Sequence, residues 1–191
     1  MSDVTDKAVE RLAQRAASTY YGKYRGVVTD NQDDEGLCRI RAKVPALLGE
    51  HPCAWALPCA PFAGDGHGQV MLPTIGANVW IEFEAGRLDA PIWSGGFWSG
   101  GQRPTPDAPE TRMIVSEKNH RIVFDDDAGT IEVLHDGGPK ITLSANEILL
   151  SCGLCTISIG PEAISMNDGV IKLGKAGVSL AMGAMAFGVP P

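Results

Sequence analysis

The chain has no run of about 18 apolar residues, so it has no helical stretch able to cross a bilayer. Its opening, MSDVTDKAVERLAQR, is charged throughout and lacks the apolar core of a secretory signal. Synthesis in the cytoplasm, without a signal peptide, is therefore the expectation. Aromatic residues are scarce, 6% of 191, against 23 Gly and 13 Pro, which argues against a helical bundle and for short strands joined by turns. Positive charge is also short: 16 Lys and Arg face 23 Asp and Glu, for a net charge of -7. A phosphate backbone or an anionic lipid surface is thereby disfavoured as a partner. The cysteines, Cys38, Cys53, Cys59, Cys152 and Cys155, are odd in number, so a disulfide framework is not expected and mostly buried thiols are.

What is present falls into successive patterns. Val4, Ala8, Leu12 and Ala16 recur every four residues, with Asp3 and Asp6 where a helix dipole favours acids. This predicts a short amphipathic helix within residues 1–22, too thin in its apolar stripe to be stable without docking. From residue 24 to 97 the period becomes two. In residues 37–44, Cys38, Ile40, Ala42 and Val44 share one face, and Arg39, Arg41 and Lys43 the other. Further short runs at 54–57, 69–72, 78–83 and 91–93, separated by Gly and Pro, predict a small closed barrel over 23–100. Pro104, Pro106 and Pro109 mark residues 101–112 as a stiff linker.

The last third repeats. Apolar pairs two positions apart occur as Ile141/Leu143, Ile148/Leu150, Ile157/Ile159, Ile164/Met166, Ile171/Leu173, Val178/Leu180 and Met185/Phe187, and their first members step by 7, 9, 7, 7, 7 and 7 residues. A coiled coil also has period seven, but its apolar positions lie three and four apart, and its helices are not interrupted by glycine in every unit. The repeat is strand, turn, strand, with Thr142, Ser158, Ser165, Lys172 and Ser179 facing away from the apolar side and glycine at the corners. A narrow meander leaves its edges and one face open. A single-chain solenoid would have only a few coils here, whereas three intertwined copies close every edge. A homotrimer is expected over residues 113–191, its core built from Ile141, Leu143, Ile148, Leu150, Ile157, Ile159, Ile164, Met166, Ile171, Leu173, Val178 and Leu180.

The middle region carries a resemblance. Gly26-Val27-Val28, then residues 38–45, CRIRAKVP, then residues 72–86, LPTIGANVWIEFEAG, and finally residues 89–95, DAPIWSG, resemble the OB-fold domain of the phage baseplate assembly protein V and VgrG-type spike family. The resemblance implies an all-β chain: an OB-fold barrel, then an intertwined trimeric β-helix, with a short N-terminal α-helix. It further implies a non-enzymatic central spike of a contractile tail or injection system, assembled into the baseplate, joined to a hub at the tube end and driven into the target envelope on contraction. Val4, Ala8, Leu12 and Ala16 are the expected hub contact. Relatives with wall-degrading activity carry a lysozyme-like domain after the barrel, and the linker here has no room for one. Other relatives end in a His-x-His pair that binds iron at the apex, but this chain's histidines are His51, His67, His120 and His135, so no metal is expected at the tip. The uncharged end, with Met182, Met185, Phe187, Val189, Pro190 and Pro191, resembles a docking surface for a PAAR-type cap.

Other chemistry is weaker. No cofactor or catalytic set is expected. Cys152-Gly153-Leu154-Cys155 has the spacing of half a zinc site or a redox pair, but lacks a second pair, and a local bulge with buried thiols fits the step of 9. Residues 125–129, DDDAG, lack the further ligands of a calcium loop and read as a turn. Residues 64–68, GDGHG, lack a following Lys-Ser/Thr and read as a barrel loop. Two alternatives remain. An OB-fold nucleic-acid binder would use Trp55, Trp80, Phe83 and Trp93, but residues 24–100 carry five basic and nine acidic groups. A β-solenoid acyltransferase would need period six and a histidine inside its coils.

Overall fold

In the computed structural model the chain divides into two units, Met1–Arg103 and Pro104–Pro191. Backbone is described for residues 2–106, 108–180 and 185–188, and side chains for 6–14, 18–106 and 108–180.

The first unit opens with helix α1 (Ser2–Ala17). Every described side chain on it is exposed, Leu12 at 65% and Val9 at 59%. The segment after the helix is what seats on the barrel. The Tyr20 amide donates to the Gly86 carbonyl at 2.9 Å, and the Tyr20 ring lies 6.4 Å from Phe83. Gly86 has a φ of 75 and a Cβ there would run into the Thr19 side chain, so glycine is required for both conformation and approach.

The barrel comprises β1 (Tyr24–Asp30), β2 (Arg41–Lys43), a single helical turn α2 (Pro45–Leu48), β3 (Leu57–Pro58), the small hairpin β4 (Ala63–Gly64) and β5 (His67–Gly68), β6 (Asn78–Phe83) and β7 (Pro91–Gly96). Strand order in the main sheet is β2-β1-β6-β7-β3, with β3 and β7 parallel. The bridges Ile40↔Ala56 and Lys43↔Pro52 join the segment leading into β3 to β2, closing the sheet on itself. Alternation then aims Val79, Ile81 and Phe83 of β6 inward, against Val28, Ile40, Ala42, Val44, Cys53 and Ala56.

The expected strand over 37–44 begins late. Cys38 has a φ of 57, outside the extended region, and its carbonyl accepts the Trp93 indole N–H at 3.1 Å. Asp33 causes the detour. Its carboxylate accepts from the Arg39 guanidinium at 2.6 and 3.0 Å and from the backbone amides of Glu35, Leu37 and Arg39. Arg39 foremost, with those amides, holds the Asp33 carboxyl far below the ordinary range. Residues 69–72 are not a strand either. They follow the β4–β5 hairpin as irregular backbone, the Gln69 amide donating to the Phe62 carbonyl at 3.0 Å, and expose Val70 and Met71 toward an open groove of about 920 Å³ that Phe62 and Trp93 also line. The thiols depart from expectation as well: Cys53 alone is buried, Cys38 is half-buried, and Cys59, Cys152 and Cys155 are exposed. Burial pushes the Cys53 thiol up.

The second unit is one antiparallel meander of β8 (Thr111–Val115), β9 (Arg121–Asp125), β10 (Thr130–Leu134), β11 (Lys140–Leu143), β12 (Ile148–Cys152), β13 (Cys155–Ile159), β14 (Ala163–Met166), β15 (Ile171–Gly174), β16 (Gly177–Leu180) and β17 (Met185–Gly188). Each strand pairs with its neighbours in sequence, leaving β8 and β17 at the edges. The step of 9 is not a bulge. Strands β12 and β13 are each extended by a residue, adding the directly opposed pair Cys152↔Cys155 across a two-residue turn. Nor does a left-handed glycine turn every corner: Asn119, Asn167 and Asp168 have positive φ, whereas Gly160 and Gly174 do not.

Candidate functional site

Two residues apart on a strand means the same face of the sheet, and register decides what each side chain meets across the ladder. Here the register matches apolar with apolar in two rows along one face from β9 onward. Ile131, Leu143, Ile148, Ile159, Ile164, Leu173 and Val178 are successive cross-strand partners and form one column. Val133, Ile141, Leu150, Ile157, Met166, Ile171 and Leu180 form a second beside it. The opposite face runs Thr142, Leu149, Ser158, Ser165, Lys172 and Ser179 in the same register, polar except for Leu149.

No side chain of the columns is buried among the described residues. Among the described residues every buried side chain belongs to the barrel, and none to the sheet. Ile141, Leu143, Ile148, Leu150, Ile157, Ile159, Ile164 and Leu173 are 37% to 40% exposed, and Met166, Ile171, Val178 and Leu180 are half-buried. Covering the remainder of one such side chain is worth ~1 kcal/mol. A contiguous apolar surface of this kind in a ten-stranded sheet is an association surface.

The polar face carries its own bonds. Lys140 Nζ reaches Glu132 Oε1 at 2.8 Å, and the Thr142 hydroxyl donates to the same oxygen at 3.3 Å. Ser158 donates to Glu147. Asp125 caps the β9–β10 turn by accepting the Ala128 amide at 2.9 Å, while Asp126 pairs with Arg112, which stands opposite Phe124 on the apolar side. Among the described residues no three His, Cys, Asp or Glu side chains come together in a metal-holding group.

All twelve residues expected to form a core thus lie in the two columns. The repeat as read from residue 141 missed the beginning of the face. Ile122 is opposite Val133, Phe124 opposite Ile131, and Ile114 opposite Ile122, and all five are 40% to 50% exposed. Their i, i+2 spacing was the available signal, but longer turns separate these strands and break the step of seven. Met182, Val189, Pro190 and Pro191 lie outside the described residues, as do the side chains of Met185, Phe187, Val4 and Ala16. Ala8 and Leu12 lie exposed on α1.

The barrel aromatics divide in two. Phe83 is in the core with Tyr20 and Tyr24 around it, and Trp93 packs against that core. Trp55 is flanked by the guanidinium groups of Arg39 and Arg41, 5.6 and 6.0 Å from its centroid, and Trp80 lies beside Phe97 with Arg25 over both rings.

Comparison with protein families finds two matches that lie end to end. Residues 24–98 match the Type VI secretion system/phage-baseplate injector OB domain, and residues 112–172 match the phage baseplate V C-terminal trimerisation domain. Together they take in more than two thirds of the chain. No curated protein matches it.

Proposed function

Because the chain belongs to the phage baseplate V family, whose members are structural baseplate proteins, we propose that three copies form the central spike of a contractile tail or injection system. The observation that carries this is the pair of in-register apolar columns, open in one chain and lying in a segment that matches a trimerisation domain. Three such sheets laid column to column make a prism with a dry aliphatic interior and Ser, Thr and Lys outside.

The mechanism is mechanical rather than catalytic. Axial load passes through a ladder in which each strand is tied to the next, so buckling requires breaking backbone pairing and separating the apolar columns together. The polar face and the negative net charge keep the prism from adhering to anionic lipid as it punctures the target envelope. The barrel joins the baseplate hub, with exposed α1 residues such as Leu12 contributing, and the apolar segment 182–191 seats a PAAR-type cap.

Sedimentation equilibrium and native mass measurement test the reading. A particle of three times the 20.2 kDa chain mass is expected. A stable monomer at micromolar concentration overturns it. Deleting residues 1–20 should weaken co-purification with the hub, and deleting 182–191 should abolish cap binding, each with the trimer mass unchanged.

A further inference from the structure

The function above uses one face of the sheet, and the first strands are apolar on the other face too. On that outer side Met113 stands opposite Val123, and Arg121 is the cross-strand partner of both Val115 and Leu134. The two faces differ in cover. Ile114, Ile122, Phe124, Ile131 and Val133 on the column side are 40% to 50% exposed, whereas Met113, Val115, Val123 and Leu134 are half-buried. The segment 104–110, which its prolines mark as a linker, belongs to this unit. Arg121 Nη1 donates to the Thr105 carbonyl at 2.8 Å, while Nε and Nη2 are held by the Asn119 side-chain oxygen. Farther along, the Asp126 amide donates to the Glu110 carbonyl at 3.2 Å, and the Thr111 amide to the Ala108 carbonyl at 3.1 Å. Along this stretch Pro104 and Ala108 are half-buried and Thr105, Pro106, Pro109 and Glu110 are exposed, so one side of the segment is covered and the other open.

We infer that residues 104–110 are a strap that docks on the outer face of β8–β10 and shields its apolar set, with Arg121 as the clasp. These contacts lie within one chain, so the inference goes beyond the trimer reading and does not rest on it. Arg121 suits the task because its aliphatic stem lies on the rung between Val115 and Leu134 while its charged head satisfies a carbonyl of the strap. Pro104, Pro106 and Pro109 restrict the segment before it docks, so ordering it costs less entropy than for an ordinary loop. Undocking opens Met113, Val115, Val123 and Leu134 on a face that the columns do not use, and an open apolar patch there joins particle to particle.

Cleavage at Asp107 by an aspartate-specific endoprotease reads the strap in the full-length protein, with cleavage at Asp65 in the β4–β5 turn as internal reference. When reclosing is fast, the cleavage rate follows the undocked fraction. R121Q removes a charge-assisted hydrogen bond and is expected to raise the Asp107 rate ~10-fold, with the Asp65 rate unchanged. A108K, which seats an ammonium against the face, should act in the same direction. Both variants should sediment above the wild-type mass at high concentration, and M113T with V123T added to either should restore it. Asp107 cleavage as fast in wild type as in both variants overturns the docked strap, and faster cleavage with no rise in mass overturns the shielding. A wild-type monomer would overturn the spike reading and leave these comparisons intact.

Discussion

Ile81 and Ile148 are both isoleucines on alternating strands, yet the first is 0% exposed and the second 40%. The difference is topological. In the barrel, short bridges bring the ends of the sheet together, so each strand's inner face meets other strands of the same chain. In the C-terminal sheet every strand pairs only with its neighbours in sequence, so the pairing is satisfied and the face is not. A closed sheet buries its apolar set alone, whereas a meander only aligns one and must be covered from outside.

The largest test of this contrast is a charge in a column. L150D should abolish the trimer in sedimentation while the barrel retains its own thermal transition, because an unpaired carboxylate cannot enter a dry interface. An unchanged trimer would mean the columns face solvent in the assembly. Next is the reciprocal change: I81A should destabilise the barrel by ~2–5 kcal/mol in denaturant titration and leave the trimer mass intact. Loss of both together would show that the units do not fold independently.

A smaller effect concerns the Asp33 loop. Its carboxyl is held low by Arg39 in the folded state, so its contribution is fully present above the ordinary carboxylate range and is lost as pH falls below it. D33N should lower the barrel's melting temperature near neutrality, and the gap from wild type should narrow in strong acid. A gap independent of pH would exclude the ion pair as its source. The smallest change is on the polar face: E132Q removes the half-exposed pair with Lys140 and should cost at most ~1 kcal/mol. A loss of several kcal/mol there would mean that this face, rather than the columns, carries the assembly.

Legibility in the sequence follows the same divide. Ile40, Ala42 and Val44 were readable as one inner face because period two is a local property, and so were the column residues from 141 onward. Cys38 was not, because its left-handed backbone is imposed by Asp33 five positions away reaching Arg39 and three amides. Residues 69–72 alternate poorly and their fate depends on the hairpin they follow. The thiols were misjudged because cysteine's usual burial says nothing of a residue next to a two-residue turn. The first rungs, Ile122 to Val133, escaped a search for a fixed step because strand spacing varies while register does not.

The one-neighbour pairing of β8 to β17 also separates two dimensions of growth. Each strand adds ~4.8 Å along the sheet and nothing to its width, so a hairpin gained or lost changes reach by roughly 10 Å. Cross-section depends on the two apolar positions per strand, and length on how many times they are repeated. A lineage can therefore tune how deep such a sheet extends by duplicating or deleting hairpins, without redesigning a single contact between copies.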